Sequence, residues 1–220
     1  MNRSTEQRFS FEVEGEAVAG QARGAERRED ILAATVELVG ERGHQAVRVA
    51  DVARQLSVSA GLIIYHFGTK GELLAASFAF AAERDLEVAR GIAERETGAL
   101  RRLVAIVDWY LPTDASLRSW RLWLDGWAAS QFEPSLAEVI RGFDAAWRDL
   151  MTCALRACAE GGAAEIDDPE EAAVQLMSFL NGMAVMSVTA PEWAEVSDTT
   201  ARVRGFLARQ FGVSSEGPSV

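Results

Sequence analysis

The chain has 220 residues, 49% of them hydrophobic, so it can bury one good core plus a small second domain and does not have to hold more. Its formal net charge of −11 argues against a nucleic-acid binder when it is taken over the whole chain. Aliphatic and alanine-rich runs, interrupted by only five prolines, predict an all-α protein.

The acidic charge is unevenly distributed along the chain. Residues 1–70 hold nine basic and ten acidic residues, a net charge of −1, and residues 71–220 hold thirteen basic and twenty-three acidic residues, a net charge of −10. A DNA-binding function is therefore compatible only with the first part of the chain. Because that part is nearly neutral, we expect modest nonspecific affinity for DNA.

Residues 1–24 mix charged residues with Gly and Ser, and the short alternation of Phe9, Phe11 and Val13 has no partner strand. This composition predicts a disordered N-terminal arm. Arg23 of the arm could follow DNA phosphates together with the arginines just after it, Arg27 and Arg28. A solvated tail explains the same residues equally well.

The segment from Val47 to Lys70 predicts two short helices joined by a tight turn, preceded by a bracing helix from about Ala25 to Arg42 that Gly43 ends. Apolar residues at helical spacing mark the inner side of the first short helix: Val49, Val52, Ala53 and Leu56. Ser59 is suited to cap the second helix, about Ala60 to Phe67, because its hydroxyl can accept from a backbone N–H of the first turn. The pattern indicates a helix-turn-helix.

The residue types in this segment resemble the DNA-binding domain of the tetracycline-repressor (TetR) family of bacterial transcription regulators. The resemblance spans roughly Ala25 to Phe80, and these residues carry it: Asp51-Val52-Ala53, Val58-Ser59-Ala60-Gly61, Tyr65-His66-Phe67, Lys70 and Glu72-Leu73-Leu74. The chain departs from the family pattern at Ile64, where tyrosine is usual, and at Arg48, where serine or threonine is usual.

The resemblance implies a DNA-binding domain over residues 25–85, with the helix-turn-helix motif at 48–67. It implies DNA contacts from a set of residues around the second helix: Arg48, Ser59, Ala60, Gly61, Leu62, Ile64, Tyr65, His66 and Lys70. Within this set, the first turn of the second helix would meet base edges in the major groove, and Tyr65, His66 and Lys70 would meet phosphates. Tyr65 and His66 could instead pack between helices.

Apolar periodicity and start signals predict six further helices and a domain over residues 86–212, followed by a disordered tail at 213–220. Their expected ranges are Lys70–Glu94, Leu100–Leu111, Ser116–Gln131, a long helix from Pro134, Asp168–Val188 and Asp198–Phe211. The first of these is the only continuous rod between the two domains, so a movement at its far end would move the DNA-binding helices.

All six tryptophans fall in the second domain. An aromatic stripe at helical spacing is usually core, but so many indoles near methionines and a polar asparagine also suit an apolar ligand pocket. The residues assigned to that pocket are Trp109, Trp120, Trp123, Trp127, Trp147, Met151, Met177 and Asn181. The stretch from Leu117 to Leu136 is similar to a TetR-family branch that contains the choline-responsive betaine repressor, whose effector would attract indole faces through its cationic nitrogen.

The uncharged run from Ala172 to Ala190 is long enough for a membrane span. Its polar residues and acidic flanks favour a helix buried on all sides within protein instead. Because one domain core cannot cover so apolar a helix, we expect a two-fold interface with a second copy, formed by Leu176, Leu180, Val203, Phe206 and Leu207. Such a homodimer would read a pseudo-palindromic operator.

No residue pattern indicates catalysis, a metal site or a cofactor. Cys153 and Cys158 lie too far around a helix from each other to pair, and we expect both to be small buried hydrophobes in a reducing cytoplasm. The resulting hypothesis is a cytoplasmic homodimeric repressor released from DNA by a small-molecule effector whose identity the chain does not give. A dimeric helical scaffold and an all-helical enzyme with a tryptophan-lined pocket are the alternatives.

Overall fold

The computed structural model describes residues 24–113, 116–190, 192 and 196–213. The predicted arm and tail lie almost entirely outside these ranges. Nine α-helices cover most of the described residues: α1 (24–42), α2 (Val49–Gln55), α3 (Ala60–Phe67), α4 (Lys70–Arg95), α5 (Ala99–Tyr110), α6 (Leu117–Ser130), α7 (Pro134–Glu160), α8 (Pro169–Thr189) and α9 (Val196–Phe211). The helix-turn-helix is α2 and α3, as predicted.

Local capping explains where α3 and α8 begin. The Ser59 hydroxyl accepts from the backbone N–H of Leu62 at 3.1 Å, which confirms the predicted cap of α3. The turn before it places Ser57 at a φ of 54°, a left-handed conformation that lets the chain reverse within a few residues. At α8, the Asp168 carboxylate accepts from the N–H of Glu171 at 3.0 Å and Pro169 occupies the first turn.

A capping box, which was not predicted from the sequence, fixes the start of α4. The hydroxyl of Thr69 accepts from the N–H of Glu72 at 3.1 Å, and the Glu72 carboxylate accepts from the N–H of Thr69 at 2.8 Å. Gly68, at a φ of 77°, ends α3 immediately before it. Each residue between α3 and α4 therefore has a definite conformational role.

The chain forms two compact units, and the division between Ser77 and Phe78 lies inside α4. The predicted boundary after residue 85 also lies inside this helix, eight residues later. In the first unit, the buried side chains of α1, α2 and α3 include Ile31, Leu38, Val52, Ile63 and Phe67. In the second unit, α7 packs against α5, α6 and α8, and Met151 and Leu155 of α7 lie in the core.

Helix α8 buries one face and exposes another within this protomer. It is long and apolar enough to cross a membrane by length and composition, yet only 28% of its most apolar window is buried, so it is not enclosed on all sides by its own chain. Its buried face includes Leu176 and Leu180. Its outer face carries Val174, Ser178, Gly182 and Met186, whose four-residue spacing keeps them on one side.

Two sequence-based assignments need correction. Leu176, Leu180, Val203 and Leu207, assigned to a dimer interface, are at most 1% exposed because they form the protomer's own core, and a second copy cannot reach them. Phe206 is the exception, since it is half-buried and stacks on Phe179 with ring centroids 4.3 Å apart. The second correction concerns the cysteines: Cys158 is buried, but Cys153 is exposed.

Candidate DNA-binding surface and ligand cavity

Helix α3 presents one face to solvent and uses the other as an anchor. Ile63 and Phe67 are buried, so the helix is held rigidly on the first unit. The predicted contact residues Ser59, Ala60, Gly61, Ile64 and Tyr65 are exposed, and Leu62 is half-buried. Because Ala60 and Gly61 in the first turn are small as well as exposed, the backbone there can approach a DNA groove closely. Tyr65, one turn further along the helix, is 83% exposed.

The predicted phosphate contacts differ in how freely they are presented. Tyr65 projects into solvent with its ring edge-on to half-buried His66, the two ring centroids being 5.5 Å apart. Lys70 is also half-buried, and its Nζ donates to the carbonyl of Gln45 at 3.2 Å. That hydrogen bond holds the ammonium at the start of α4 and joins the loop between α1 and α2 to this helix.

The start of α2 depends on a carboxylate because Arg48 supplies no side-chain cap there. The Asp51 carboxylate accepts from the N–H of Arg48 at 3.2 Å and from Nη1 of Arg54 at 2.9 Å. The hydrogen bond from Arg54 is the largest of the effects that lower the pKa of Asp51, and Arg42 contributes by its charge. Asp51 thus caps the helix where the family usually has a serine or threonine at position 48.

The second unit contains a cavity of about 280 Å³ walled by aromatic and acidic side chains. Its floor is aromatic, because Tyr110, Trp120, Trp123 and Trp147 line it and are each at most 9% exposed. The remaining lining residues are Asp85, Asp108, Trp109, Thr113, Ser116, Ser119 and Asp144. Asp108, Trp109, Thr113 and Asp144 are exposed, which places them at the rim.

Edge-to-face contacts hold the aromatic floor in place. The ring of Tyr110 meets Trp147 at a centroid distance of 4.9 Å and Trp120 at 5.4 Å, both nearly perpendicular. The Tyr110 hydroxyl donates to Oδ1 of Asn181 at 2.5 Å, and burial raises the pKa of the phenol, so this ring remains neutral. These contacts fix the orientations of the rings in the floor relative to one another.

Two of the cavity's carboxylates have perturbed ionisation. Burial raises the pKa of Asp85 above its ordinary value, against the opposing effects of a Trp123 hydrogen bond and the Arg84 charge. Burial likewise raises the pKa of Asp144, opposed by the Arg148 charge and a hydrogen bond from Trp127. The third carboxylate, Asp108, has an ion pair with Arg204 at 3.4 Å.

Helix α4 reaches the cavity through Asp85 and contacts its wall at two further points. The indole Nε1 of Trp109 donates to the backbone carbonyl of Asp85 at 3.2 Å. The ring of Phe78 packs edge-on against Trp123 with centroids 4.7 Å apart. Helix α4 is thus in direct contact with the cavity wall.

The tryptophan prediction located the region of the cavity but not its full lining. Trp109, Trp120, Trp123 and Trp147 line it, whereas Trp127 packs behind Trp120 and Trp123. Met151, Met177 and Asn181 are not among its lining residues; Met151 is in the core, and Asn181 orients Tyr110. None of the three aspartates was among the predicted pocket residues. Asp144 could have been found from the sequence, since it is a carboxylate within an apolar seam, one turn before Trp147.

Comparison with known proteins agrees with this geometry in both units. Residues 31–77 match the family model described as bacterial regulatory proteins of the tetR family, and residues 99–212 match the model of the BetI-type transcriptional repressor C-terminal domain. The HTH-type transcriptional regulator BetI of Stenotrophomonas maltophilia is 34% identical over 120 residues, covering 54% of this chain and 61% of that protein. Its counterpart in Escherichia coli strain UMN026 is 34% identical over 113 residues, covering 50% and 58%.

The chain thus spans about three fifths of the length of the curated relatives it matches. Among solved structures, a transcriptional regulator from Saccharomonospora viridis in complex with choline has the same fold, with a TM-score of 0.80 and 23% identity over 85% of this chain and 98% of that one. A TetR transcription regulator from Haloarcula marismortui aligns with a TM-score of 0.77 and 18% identity over 84% and 98%.

The fold and the exposed recognition helix define a transcriptional regulator of the helix-turn-helix class. The chain belongs to the tetR family of bacterial regulatory proteins, with a C-terminal domain of BetI type. The predicted family and the all-α fold class are confirmed. The family is one of regulators and not of enzymes, which removes the enzyme alternative.

Proposed function

We propose that this chain is a cytoplasmic, homodimeric repressor that binds a pseudo-palindromic DNA operator and releases it when an organic cation enters the cavity of the second unit. The observation that carries DNA binding is the outer face of α3. This face presents small residues and the exposed side chain of Tyr65, while Ile63 and Phe67 on the opposite face anchor the helix. Sequence would be read by close backbone approach, by Leu62 on a thymine methyl group and by DNA shape.

The DNA-binding proposal is tested by selecting bound sequences from random oligonucleotides and measuring affinity for the selected site. We expect a two-fold symmetric site with half-sites about one turn of DNA apart or somewhat more. Tyr65→Phe removes one hydroxyl without changing the fold, so it should weaken binding to all sequences. Selection of no preferred sequence, with and without cell extract that could supply a corepressor, would refute the proposal.

The dimer is supported by the outer face of α8. Val174 and Met186 are 44% and 41% exposed, and between them Ser178 and Gly182 leave room for the close approach of another helix. Half-buried Phe179 and Phe206 extend this face onto α9. A face of this composition in two copies fits a symmetric helical interface.

Gly182→Arg tests the dimer sharply, because a Cβ at Gly182 meets nothing within 4 Å in the protomer. The variant should fold and yet elute as a monomer in size-exclusion chromatography with light scattering. Gly142→Arg is the matched control, since Gly142 is also an open, exposed helical position but lies on α7. If Gly182→Arg stays dimeric, the interface lies elsewhere; if the native chain is monomeric at micromolar concentration, the dimer proposal fails.

A cationic effector is supported by the cavity's composition. Aromatic faces attract cations, three aspartates line the space, and the lining contains no lysine, arginine or histidine among the described residues. In the same part of the chain no group of three His, Cys, Asp or Glu side chains could hold a metal ion, which favours an organic cation. The structurally similar regulator from Saccharomonospora viridis was crystallised with choline.

Release would follow from a shift in conformation of α4. Since α4 contributes Asp85 to the cavity and contacts its wall through Phe78, a ligand that favours one position of α4 changes the affinity for DNA, and DNA changes the affinity for ligand by the same factor. Titration of tryptophan fluorescence, with and without operator, measures both affinities. Equal ligand affinities in the two titrations would show that the cavity does not control DNA binding.

A further inference from the structure

The carboxylates of the cavity differ in whether their charge is already balanced. Asp108 is paired with Arg204 at 3.4 Å. Asp85 and Asp144 have no ion pair within the part of the chain that the structure describes, and the charges of Arg84 and Arg148 act on them only from beyond salt-bridge distance. The cavity therefore holds two carboxylates without a salt-bridge partner, and they come from different helices, α4 and α7.

A ligand that fills the cavity determines what happens to these charges. Its hydrocarbon body displaces water from half-buried Asp85 and from the cavity side of exposed Asp144, so a cationic partner stabilises each of them once the site is occupied. A singly charged ligand supplies a partner for one carboxylate and leaves the other without one. A quaternary ammonium group, moreover, has no N–H to donate to either oxygen.

The aromatic floor of the cavity requires that the ligand also have an apolar part. Trp120, Trp123 and Trp147 are buried and present an apolar surface beside the carboxylates. A chain of methylene groups can lie on this surface while charged ends reach outward to the acids. The arrangement matches a molecule with an apolar middle and two positive ends.

We infer that the effector of this site is a straight-chain aliphatic diamine in its doubly protonated form, with one ammonium group on Asp85 and the other on Asp144. The inference rests on the proposed effector function and specifies the charge of the effector. Such a ligand links α4 to α7 directly. Its binding is thereby coupled to the helix that begins in the DNA-binding unit.

Calorimetric titration of the purified full-length protein without DNA, at neutral pH and low salt, tests the inference. Putrescine is compared with butylamine and cadaverine with pentylamine, so that each pair differs mainly by one charged group, and choline is included. We expect the diamines to bind about two- to fivefold more tightly than the matched monoamines, the gain from a second ion pair that is partly exposed.

Asp85→Asn and Asp144→Asn should each reduce this ratio to about one, because each removes one of the two partners. Asp149→Asn is the control, since Asp149 is an exposed carboxylate on α7 that does not line this cavity, and it should keep the native ratio. Circular dichroism of each variant establishes that it is folded. The inference is supported if the affinity ratio is near one in both cavity variants and keeps its native value in Asp149→Asn.

Equal affinities for a diamine and its monoamine, or tighter binding of choline than of either diamine, would overturn the inference and leave a regulator with a singly charged effector. Binding of no amine at all would overturn it together with the cationic effector. Operator binding, measured separately on the same protein, distinguishes these failures from failure of the DNA-binding proposal.

Discussion

Replacing Gly126 with alanine would place a Cβ 2.6 Å from Cε2 and 3.0 Å from Cδ2 of Phe78, closer than real Cβ contacts allow. The ring cannot easily turn away, since Phe78 is buried and packs edge-on against Trp123. Gly126 therefore permits the close approach of α6 to Phe78. Overpacking of this kind costs about 1–3 kcal/mol.

Comparison with a second glycine separates the energy of the contact with Phe78 from the effect of helix propensity. Alanine is favoured over glycine by about 1 kcal/mol inside a helix, so Gly126→Ala should have a net effect between about zero and 2 kcal/mol of destabilisation. Gly142 is also helical, but a Cβ there meets nothing within 4 Å. Gly142→Ala should therefore stabilise by about 0.5–1 kcal/mol. Propensity cancels in the difference between the variants, which leaves about 1–3 kcal/mol for the contact with Phe78.

Urea denaturation followed by tryptophan fluorescence, at one fixed protein concentration, measures both variants. Phe78→Leu should partly rescue Gly126→Ala because it shortens the side chain that is in the way. The reasoning is refuted if the two alanine variants are equally stable, or if Phe78→Leu destabilises the native chain and Gly126→Ala by the same amount.

Three further predictions concern other groups. Ser59→Ala should cost about 1 kcal/mol through loss of the α3 cap, seen as faster amide hydrogen exchange in α3, while Ser59→Gly should cost less. Lys70→Ala should lower the salt slope of DNA binding by about one if the ammonium meets a phosphate; an unchanged slope with reduced stability would assign Lys70 to the Gln45 carbonyl alone. Because the pKa values of Asp85 and Asp144 are raised above 3.8, the folded chain holds their protons more tightly than the unfolded chain, so the free energy of unfolding should fall as pH rises from that value through the raised ones. Replacing both by asparagine should remove this pH dependence.

The sequence predicted those parts of the fold that depend on neighbouring residues. The caps by Ser59 and Asp168 are local hydrogen bonds spanning three residues, so residue type and spacing were sufficient to find them. The exposed face of α3 followed in the same way from its family pattern. The cap of α2 was not predicted, because Arg48 stands where serine or threonine is usual and the capping carboxylate is Asp51, three residues later.

The parts that depend on how helices pack could not be predicted. Helix α8 is apolar nearly all round, so its periodicity did not show that Leu176 and Leu180 face inward and Val174 and Met186 outward. The cavity likewise depends on α4 and α7 lying beside the same space, which brings together Asp85 and Asp144 from positions 59 residues apart. The tryptophans were recognisable by their number, but which indoles form the floor depends on tertiary packing.

The division between the two units falls within α4, and this restricts how regulators of this design can be recombined. Each residue added to a helix turns everything beyond it by about 100° and moves it by about 1.5 Å. A chimera that joins this first unit to another regulator's second unit must therefore keep the same helical phase at the junction after Ser77. Insertions of about seven residues, close to two full turns, should be tolerated better than insertions of one or two.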